Sequence, residues 1–232
     1  MTEEYIGLKK WLEETKDVPL ENMNSFFDVR IETYEDVMSK WDAHYQWMAD
    51  ILSDKTENLL DIGCGSGLEL DKIFKRFPNL KVTGVDFSDE MLKKLQSKHY
   101  DKNLTVINSD YFICDLGNEV YDTAISFETL HHFTANKKCE LFKKIYDSLK
   151  TGGEYIECDY IACDSSIEEL VFSEINRRKI RDNIEDEIFV HFDTPLTAEH
   201  EMEAMKKAGF SKVERIGCLE GDGNTVMFRC IK

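Results

Sequence analysis

LLDIGCGSG, residues 59–67, carries more information about this chain than any other segment. Its apolar run ends in the acid Asp61, three alternating glycines follow, and Leu68 opens an amphipathic stretch. This order predicts a strand, a tight turn and a helix, because glycine adopts positive φ and lets a ligand approach the backbone. The N–H groups at the start of such a helix favour an anionic group. A dinucleotide fingerprint, G-x-G-x-x-G, would place its third glycine at residue 68 instead of 67.

A second acid ends the next predicted strand. Asp86 follows Lys81-Val82-Thr83-Gly84-Val85 and lies 19 residues after Gly67. An acid at this position of a strand–helix–strand unit can accept hydrogen bonds from ribose hydroxyls. Nicotinamide-dependent enzymes share this acid, so an oxidoreductase of that type is one alternative. The D-x-G-x-G-x-G spacing together with Asp86 resembles the class I S-adenosylmethionine (SAM)-dependent methyltransferases.

The chain is strongly acidic. It has 29 Lys and Arg against 46 Asp and Glu in 232 residues, a net charge of −17. Binding to nucleic acid or to an anionic membrane through a broad surface needs the opposite balance, so we expect neither partner. A local basic patch at Arg177-Arg178-Lys179 stays open, as a binding site or as a solvated helix face. We expect a small-molecule substrate and a monomer or homodimer.

The number and spacing of the cysteines indicate the redox state of the cellular compartment. There are seven, an odd number without a C-x-x-C pair, which argues against a disulfide framework and a ribbon-type zinc site. We therefore predict reduced thiols and no metal ligands. The first residues, MTEE, lack the basic and then apolar pattern of a signal peptide, and no apolar run is long enough to span a bilayer. These observations favour a cytoplasmic protein.

Strand-like and helix-like segments alternate from residue 58 to about residue 159. This alternation predicts a parallel sheet with right-handed crossovers. The predicted strands are 58–62, 80–85, 104–108, 121–127 and 154–159, and the predicted helices are 68–77, 89–98 and 136–149. Strands at 212–218 and 224–230, joined around Gly221, predict a C-terminal hairpin. The predicted fold is α/β: a Rossmann-like seven-stranded sheet, mostly parallel with a C-terminal antiparallel hairpin, and with helices on both faces.

Two segments lie outside this alternation. Residues 1–17 predict a short helix, residues 20–32 an irregular segment, and a long helix is expected from Thr33 as its N-cap. Residues 160–197 are charge-rich and partly helical, and we interpret them as a lid inserted after the fifth strand. The predicted organisation is an N-terminal helical cap at 1–53 and a methyltransferase domain at 54–232.

The family resemblance implies SAM as cofactor and S-adenosylhomocysteine (SAH) as product. By position, the first motif would hold the methionine end of SAM, Asp86 the ribose, and the segment after the third strand the adenine. The fourth strand would pass the methionine with its backbone at Ser126 and Phe127. The implied cofactor-binding residues are Asp61, Gly63, Gly65, Gly67, Asp86, Phe87, Asp110, Tyr111, Ser126 and Phe127.

The catalytic candidates are His131, His132 and Tyr34. The fourth strand continues into Glu128-Thr129-Leu130-His131-His132-Phe133, which resembles the A-L-H-H-L segment of the same family. A titrating imidazole there can act as a general base, unless one histidine packs and the other only satisfies a backbone group. Phe26-Phe27-Asp28 followed by Tyr34 resembles the F-D…Y-D segment of small-molecule methyltransferases, in which a tyrosine reaches over the cofactor.

Three residues are predicted to contact the acceptor: Tyr160 at the end of the fifth strand, and Arg177 and His191 in the insertion. Methyl transfer from a sulfonium needs alignment in a closed site, and a base only if the acceptor loses a proton. The sequence thus predicts methyl transfer from SAM to a small molecule by in-line displacement. The C-terminal layout is also similar to the branch that contains carboxy-SAM synthases, although no clear arginine is present for the additional carboxylate. A SAM-binding subunit without turnover and a tRNA-directed enzyme are further alternatives.

Overall fold

The fold is built on one seven-stranded sheet. The computed structural model describes residues 2–186 and 188–232, except for the side chains of residues 24, 25, 27 and 28. The strands are β1 (Asn58–Ile62), β2 (Lys81–Asp86), β3 (Leu104–Asn108), β4 (Tyr121–Phe127), β5 (Leu149–Tyr160), β6 (Lys212–Gly217) and β7 (Thr225–Ile231). Their order is β3-β2-β1-β4-β5-β7-β6, and only β7 runs antiparallel to its neighbours. The predicted mostly parallel sheet with its C-terminal antiparallel hairpin is therefore confirmed.

Helices cover both faces of this sheet. They are α1 (Glu3–Glu14), α2 (Met23–Met38), α3 (Asp42–Ile51), α4 (Leu68–Arg76), α5 (Asp89–Lys98), α6 (Ala135–Ser148), α7 (Ser165–Asp182) and α8 (Ala198–Ala208). Ser88 and Thr197 cap α5 and α8, because each side chain accepts a backbone N–H of the first turn. Gly209 ends α8 in the left-handed conformation. Within the described residues, no helix is long and apolar enough to cross a membrane.

The N-terminal segment differs from the prediction. The interval 20–32 is not irregular, because α2 begins at Met23, and the expected single long helix is divided by a 3₁₀ turn at Ser39–Trp41. Thr33 lies inside α2, where its hydroxyl donates to the Arg30 carbonyl, so it is not an N-cap. Local sequence propensity did not indicate the first part of α2, because tertiary contacts stabilise it. Met23 is buried, and α2 packs against α5.

The parallel part of the sheet has an apolar core on each face. Leu60 lies in one core, which includes Phe142 of α6 and Met205 of α8. Leu59 points to the opposite face and lies in the other core with residues of α3, α4 and α5. Burial on both faces explains why β1 and β4 are buried at nearly every residue rather than at alternate ones. β5 starts at Leu149, five residues before the predicted position, because Thr151-Gly152-Gly153 does not interrupt it.

Helix α7 and the segment after it pack against α1 rather than against the sheet core. Leu12, Val171, Ile175, Val190 and Phe192 form a third apolar cluster there. The Arg178 guanidinium is buried and donates to the Leu12 carbonyl and the Thr15 hydroxyl. We call α1 and α7 together the cover. Residues 160–197 and the N-terminal helices therefore meet above the carboxyl ends of the parallel strands.

Candidate active site

A cavity lies at the carboxyl ends of β1, β2 and β4, and we call it the glycine-loop cavity. Parallel sheets of this kind bind their ligands at this edge. Its walls come from the turn after β1, the end of β2, the loop after β4 and helix α2. They are formed by Met23, Tyr34, Gly63, Gly65, Asp86, Phe87, Met91, Tyr111, Phe127, Glu128, Thr129 and His132.

The turn after β1 has three glycines in the left-handed region, with φ of 69° at Gly63, 47° at Gly65 and 73° at Gly67. A Cβ on Gly63 would lie 2.2 Å from the hydroxyl oxygen of Thr129, so this glycine is required by packing. A Cβ on Gly65 would meet only the Tyr34 hydroxyl, at 3.7 Å. Gly65 is therefore the glycine that leaves room on the cavity side for a ligand. Gly67 is the N-cap of α4.

Asp86 is held rigidly at the end of β2. One carboxylate oxygen accepts the Gly65 N–H at 2.9 Å, and the other accepts the Ser88 N–H at 2.9 Å. A carboxylate has about four lone-pair positions, so both oxygens can accept further hydrogen bonds from a ligand. The proposed contact with the ribose hydroxyls agrees with this placement in the cavity wall.

Of the three residues expected near the adenine, two line the glycine-loop cavity and one does not. Phe87 and Tyr111 both line the glycine-loop cavity. Asp110 does not line it, because one of its carboxylate oxygens accepts the Phe112 N–H at 2.8 Å and the side chain turns back into its own loop. The geometry thus supplies two aromatic walls for a planar base, and the contact of Asp110 with the adenine amino group stays a prediction.

Two acids lie behind the glycine turn. Asp61 and Glu69 are both buried, and neither belongs to the cavity wall. Burial, followed by the charge of Glu69, raises the pKa of Asp61 well above its usual range. Burial also raises the pKa of Glu69, to about 6. A pair of close carboxyls that shares a proton behaves in this way, so Asp61 supports the turn from below.

The end of β4 presents one side chain to each face. Ser126 points away from the cavity, and its hydroxyl lies 2.6 Å from the Tyr155 hydroxyl. Phe127 lines the cavity and packs against Tyr45, with ring centroids 4.4 Å apart. Ser126 can therefore meet a ligand only through its backbone, as the sequence analysis proposed.

His131 lies in a buried ion-pair cluster. Its Nδ1 is 2.5 Å from Asp159, and its Nε2 is 3.6 Å from Asp193. Burial opposes the charged imidazolium, but Asp159 outweighs this effect and raises the pKa of His131 to about 9. An imidazole that is already protonated at neutral pH is a poor general base. Two groups of three potential metal ligands include His131, and the ligand atoms of each group lie within 4.8 Å of one another. Ion pairing produces the same spacing, so it gives no separate argument for a metal.

His132 has the opposite electrostatic environment. Burial and the positive charge of His131 lower its pKa to about 3, so the ring is neutral at pH 7. The ring lines the glycine-loop cavity and also a second, larger cavity. Of the two predicted histidines, His132 is therefore the one that can contact an acceptor group.

The second cavity, which we call the aromatic cavity, has a volume of about 490 Å³. It lies between the start of α6, helix α7 and the segment 186–194. Four phenylalanines contribute to its walls together with the charged residues Lys137, Lys179 and Asp186: Phe133, Phe172, Phe189 and Phe192. Such a mixture of apolar walls and few charged groups is typical of small-molecule sites.

Tyr34 closes the glycine-loop cavity from α2. Burial and the charge of Glu69 raise the pKa of its hydroxyl far above the usual value, so the group stays neutral. The free volume beneath it is about 70 Å³, whereas ligand pockets typically measure about 300–1,000 Å³. A nucleotide-sized ligand therefore needs more room than this cavity has. The Phe27 and Asp28 side chains of the same predicted motif lie outside the described part.

The predicted acceptor contacts differ in their positions. His191 stacks on Phe26 with ring centroids 3.4 Å apart, and its ring lies 5.0 Å from that of His132. Tyr160 lies edge-on to His131, at 5.9 Å. Arg177 is half exposed and donates to Glu174 and to the Lys16 carbonyl, so it does not reach either cavity. Its place on the outer face of α7 explains this, because the buried face of the helix carries Arg178 instead.

Glu128 is a candidate site residue that was not predicted from the sequence. It directly follows β4, lines the glycine-loop cavity and has a positive φ of 48°. Its position at the carboxyl end of a central strand was the available signal. The burial of its carboxyl and the left-handed backbone could not be read from the sequence.

Comparisons with known proteins agree with this geometry. Residues 59–153 match a family model described as a methyltransferase domain. A carboxy-SAM synthase from Nautilia profundicola is 23% identical over 84% of this chain and 90% of its own length. A Nostoc punctiforme crystal structure, named as a candidate O-methyltransferase, has a TM-score of 0.68 at 19% identity, covering 87% of this chain and 59% of that one. Human N-acetylserotonin methyltransferase in complex with SAM has a TM-score of 0.61 at 17% identity, covering 88% of this chain and 55% of that one.

This chain therefore spans a little over half the length of these two solved structures. The matches coincide with the glycine turn, the acid after β2 and the seven-stranded sheet with its antiparallel end. Residues 59–153 therefore carry a methyltransferase domain, and the chain has the fold of SAM-dependent methyltransferases.

Proposed function

We propose that this protein transfers the methyl group of SAM to a small acceptor bound in the aromatic cavity. The observation that carries the proposal is the position of His132, which forms a wall of both cavities. Cofactor and acceptor would then approach each other across this neutral imidazole. The sulfonium is an activated donor, so the main task of the protein is to align the two molecules and exclude water.

The lining of the aromatic cavity indicates the kind of acceptor. The phenylalanines favour an aromatic or apolar body. Lys179 is held by the Asp186 and Ile188 carbonyls, so Lys137, which pairs with Glu140 at 3.2 Å, would be the cation that meets an anionic group on this body. Lys137 lies near the start of α6, where the free N–H groups of the helix also favour an anion. With a pKa lowered to about 3, His132 is a weak base, so it would contact and orient the acceptor rather than take a proton from it. We therefore propose aromatic or apolar carboxylates and phosphates as the substrate class.

SAH release with a panel of such anions, and with their neutral analogues, tests this proposal. We expect turnover with the anions and a loss in Lys137→Met. Lys143→Met is the matched control, because Lys143 lies on the same helix and pairs with Asp147 at the surface. Equal rates in wild type and Lys137→Met would contradict the acceptor site. No SAH release with any small molecule would favour a non-catalytic subunit, whereas release with bulk tRNA alone would favour an RNA substrate.

Carboxy-SAM synthesis is the second candidate, because the relative from Nautilia profundicola carries that name. Carboxy-SAM has an additional carboxylate, which needs a cationic partner. The described lining of the glycine-loop cavity includes no lysine or arginine, and Glu128 would oppose that carboxylate. Mass spectrometry of the nucleoside that co-purifies with the protein separates the two, because carboxy-SAM and SAM differ in mass. The cytoplasmic location, the two-part organisation and the monomeric or dimeric state stay predictions.

A further inference from the structure

Glu128 has an unusual backbone for its residue type. Its φ of 48° lies in the left-handed region, which costs a non-glycine residue conformational energy and is concentrated at functional sites. The Glu128 N–H donates to the Cys158 carbonyl of β5 at 2.8 Å, which fixes the residue at the top of the sheet. The strained backbone turns the carboxyl into the glycine-loop cavity.

The carboxyl of Glu128 is buried and incompletely paired. Only 7% of the side chain is exposed, and Oε1 has no hydrogen-bond partner within the described part of the chain. The other oxygen, Oε2, lies 3.9 Å from Nδ1 of His131, which is beyond hydrogen-bond distance. A buried carboxylate without full pairing is costly, so a ligand that supplies positive charge would be favoured at this position.

The strand order indicates which part of SAM meets Glu128. Asp86 stands at the end of β2, β1 lies next to it, and Glu128 follows β4 on the other side of β1. With the ribose at Asp86, the methionine half extends over β1 toward Glu128. This half carries both positive charges of SAM. The wall that Glu128 shares with His132 is the one facing the aromatic cavity, where the methyl group has to be.

We propose that Glu128 binds the sulfonium of SAM through its carboxylate and thereby makes the site prefer SAM to SAH. This inference rests on the proposed function, because it takes the donor end of the cofactor to lie beside His132. After transfer, SAH has a neutral sulfur, and the carboxylate loses the charge that it faced. The same residue would thus favour release of the product.

The charges around Glu128 set its protonation before SAM binds. Burial, opposed by His131, raises the pKa of Glu128 to about 8. The other titratable groups that interact electrostatically with it are Asp159, Asp193, Asp222, Tyr34, Tyr45, Cys158 and Tyr160. A carboxyl whose pKa is raised in this way is largely protonated at pH 7. Binding of a cation next to it then favours release of that proton.

Isothermal titration calorimetry of the full chain with SAM and with SAH tests the proposal. We expect Glu128→Gln to lower SAM affinity at least about tenfold and to leave SAH affinity within about threefold. Titrations at pH 7 in buffers of different ionisation enthalpy should show proton release on SAM binding in the wild type and not in the variant. Glu119→Gln is the matched control, because Glu119 also has a positive φ, of 54°, but lies at the surface away from the cavity.

Each of the other possible titration results would contradict a contact between Glu128 and the sulfonium. Equal loss of SAM and SAH affinity would mean that Glu128 meets the ammonium group or only shapes the cavity. Unchanged SAM affinity would mean that it does not contact the cofactor. SAH binding shows whether Glu128→Gln is folded, and Glu128→Asn, a residue type that tolerates left-handed backbone, gives a second test. If the wild type bound neither nucleoside, the proposed function itself would fail, which is a distinguishable outcome.

Discussion

Replacing Gly65 by alanine separates ligand binding from folding. The new Cβ would have a single neighbour, the Tyr34 hydroxyl at 3.7 Å, so the folded protein has room for it. The φ of 47° remains unfavourable for alanine, at a cost of about 1–2 kcal/mol. For a chain of this length, each kcal/mol lowers Tm by about 2–4 °C. We therefore expect Gly65→Ala to be folded and to melt about 2–8 °C below the wild type.

We expect Gly65→Ala to lower the affinity for the cofactor much more than it lowers the stability of the fold. If the cofactor lies against the Gly65 backbone, the added methyl group occupies its contact surface. We expect SAH affinity to fall more than about tenfold, which corresponds to roughly 1.4 kcal/mol. Calorimetry with SAH gives the affinity, and differential scanning fluorimetry without ligand gives Tm.

Gly152→Ala is the matched control for the backbone strain. Gly152 has a φ of 78°, and a Cβ there would have no neighbour within 4 Å. It should lose a similar amount of stability and bind SAH like the wild type. If Gly65→Ala also bound SAH within about threefold of the wild type, the cofactor would not approach the backbone at Gly65, and our interpretation of the glycine turn would be wrong.

Three further results are expected. Asp86→Ala should weaken SAH binding by about 1.5–3 kcal/mol in calorimetry, because hydrogen bonds to a charged group are lost; unchanged affinity would exclude the ribose contact. In the unfolded chain the Glu128 carboxyl loses its proton near its ordinary pKa. In the folded, ligand-free protein its pKa is raised to about 8. Glu128 therefore lowers the free energy of unfolding as pH rises from about 5 to 8. The Tm of Glu128→Gln should therefore increase relative to the wild type over that range, and a constant difference would contradict the raised pKa. Lys138→Met should cost about 3–5 kcal/mol in urea unfolding, because it leaves Glu201 buried and unpaired, whereas adding Glu201→Leu should restore most of the loss.

The sequence predicted the sheet well because its signals are local. Ser88 and Thr197 are caps recognisable from the residue type and from the helices that follow them. Gly63 to Gly67 mark the turn after β1 because alternating glycines have few other uses at the end of an apolar strand. Helix α2 was missed because its stability comes from contacts with α5 and from the burial of Met23, which no local pattern reports.

The candidate site was less predictable, because the roles depend on how side chains are oriented and paired. His131 and His132 are adjacent in sequence, yet one is protonated beside Asp159 and the other is neutral. Arg177 and Arg178 are also adjacent, and only Arg178 is buried, where it donates to the Leu12 carbonyl. Periodicity places residues on a helix but does not show which face a distant segment will cover.

The cover also constrains the order in which the chain can fold during synthesis, because it joins two segments that are far apart in the sequence. Arg178 and the Leu12 carbonyl that it binds are 166 positions apart. At about 5–20 residues per second, α1 leaves the ribosome roughly 8–33 s before its partner helix has been made. During that interval Leu8 and Leu12 have no α7 to pack against. Contacts between such distant segments form slowly. We therefore expect the carboxyl ends of the parallel strands, where we place SAM, to be assembled before the cover packs over them.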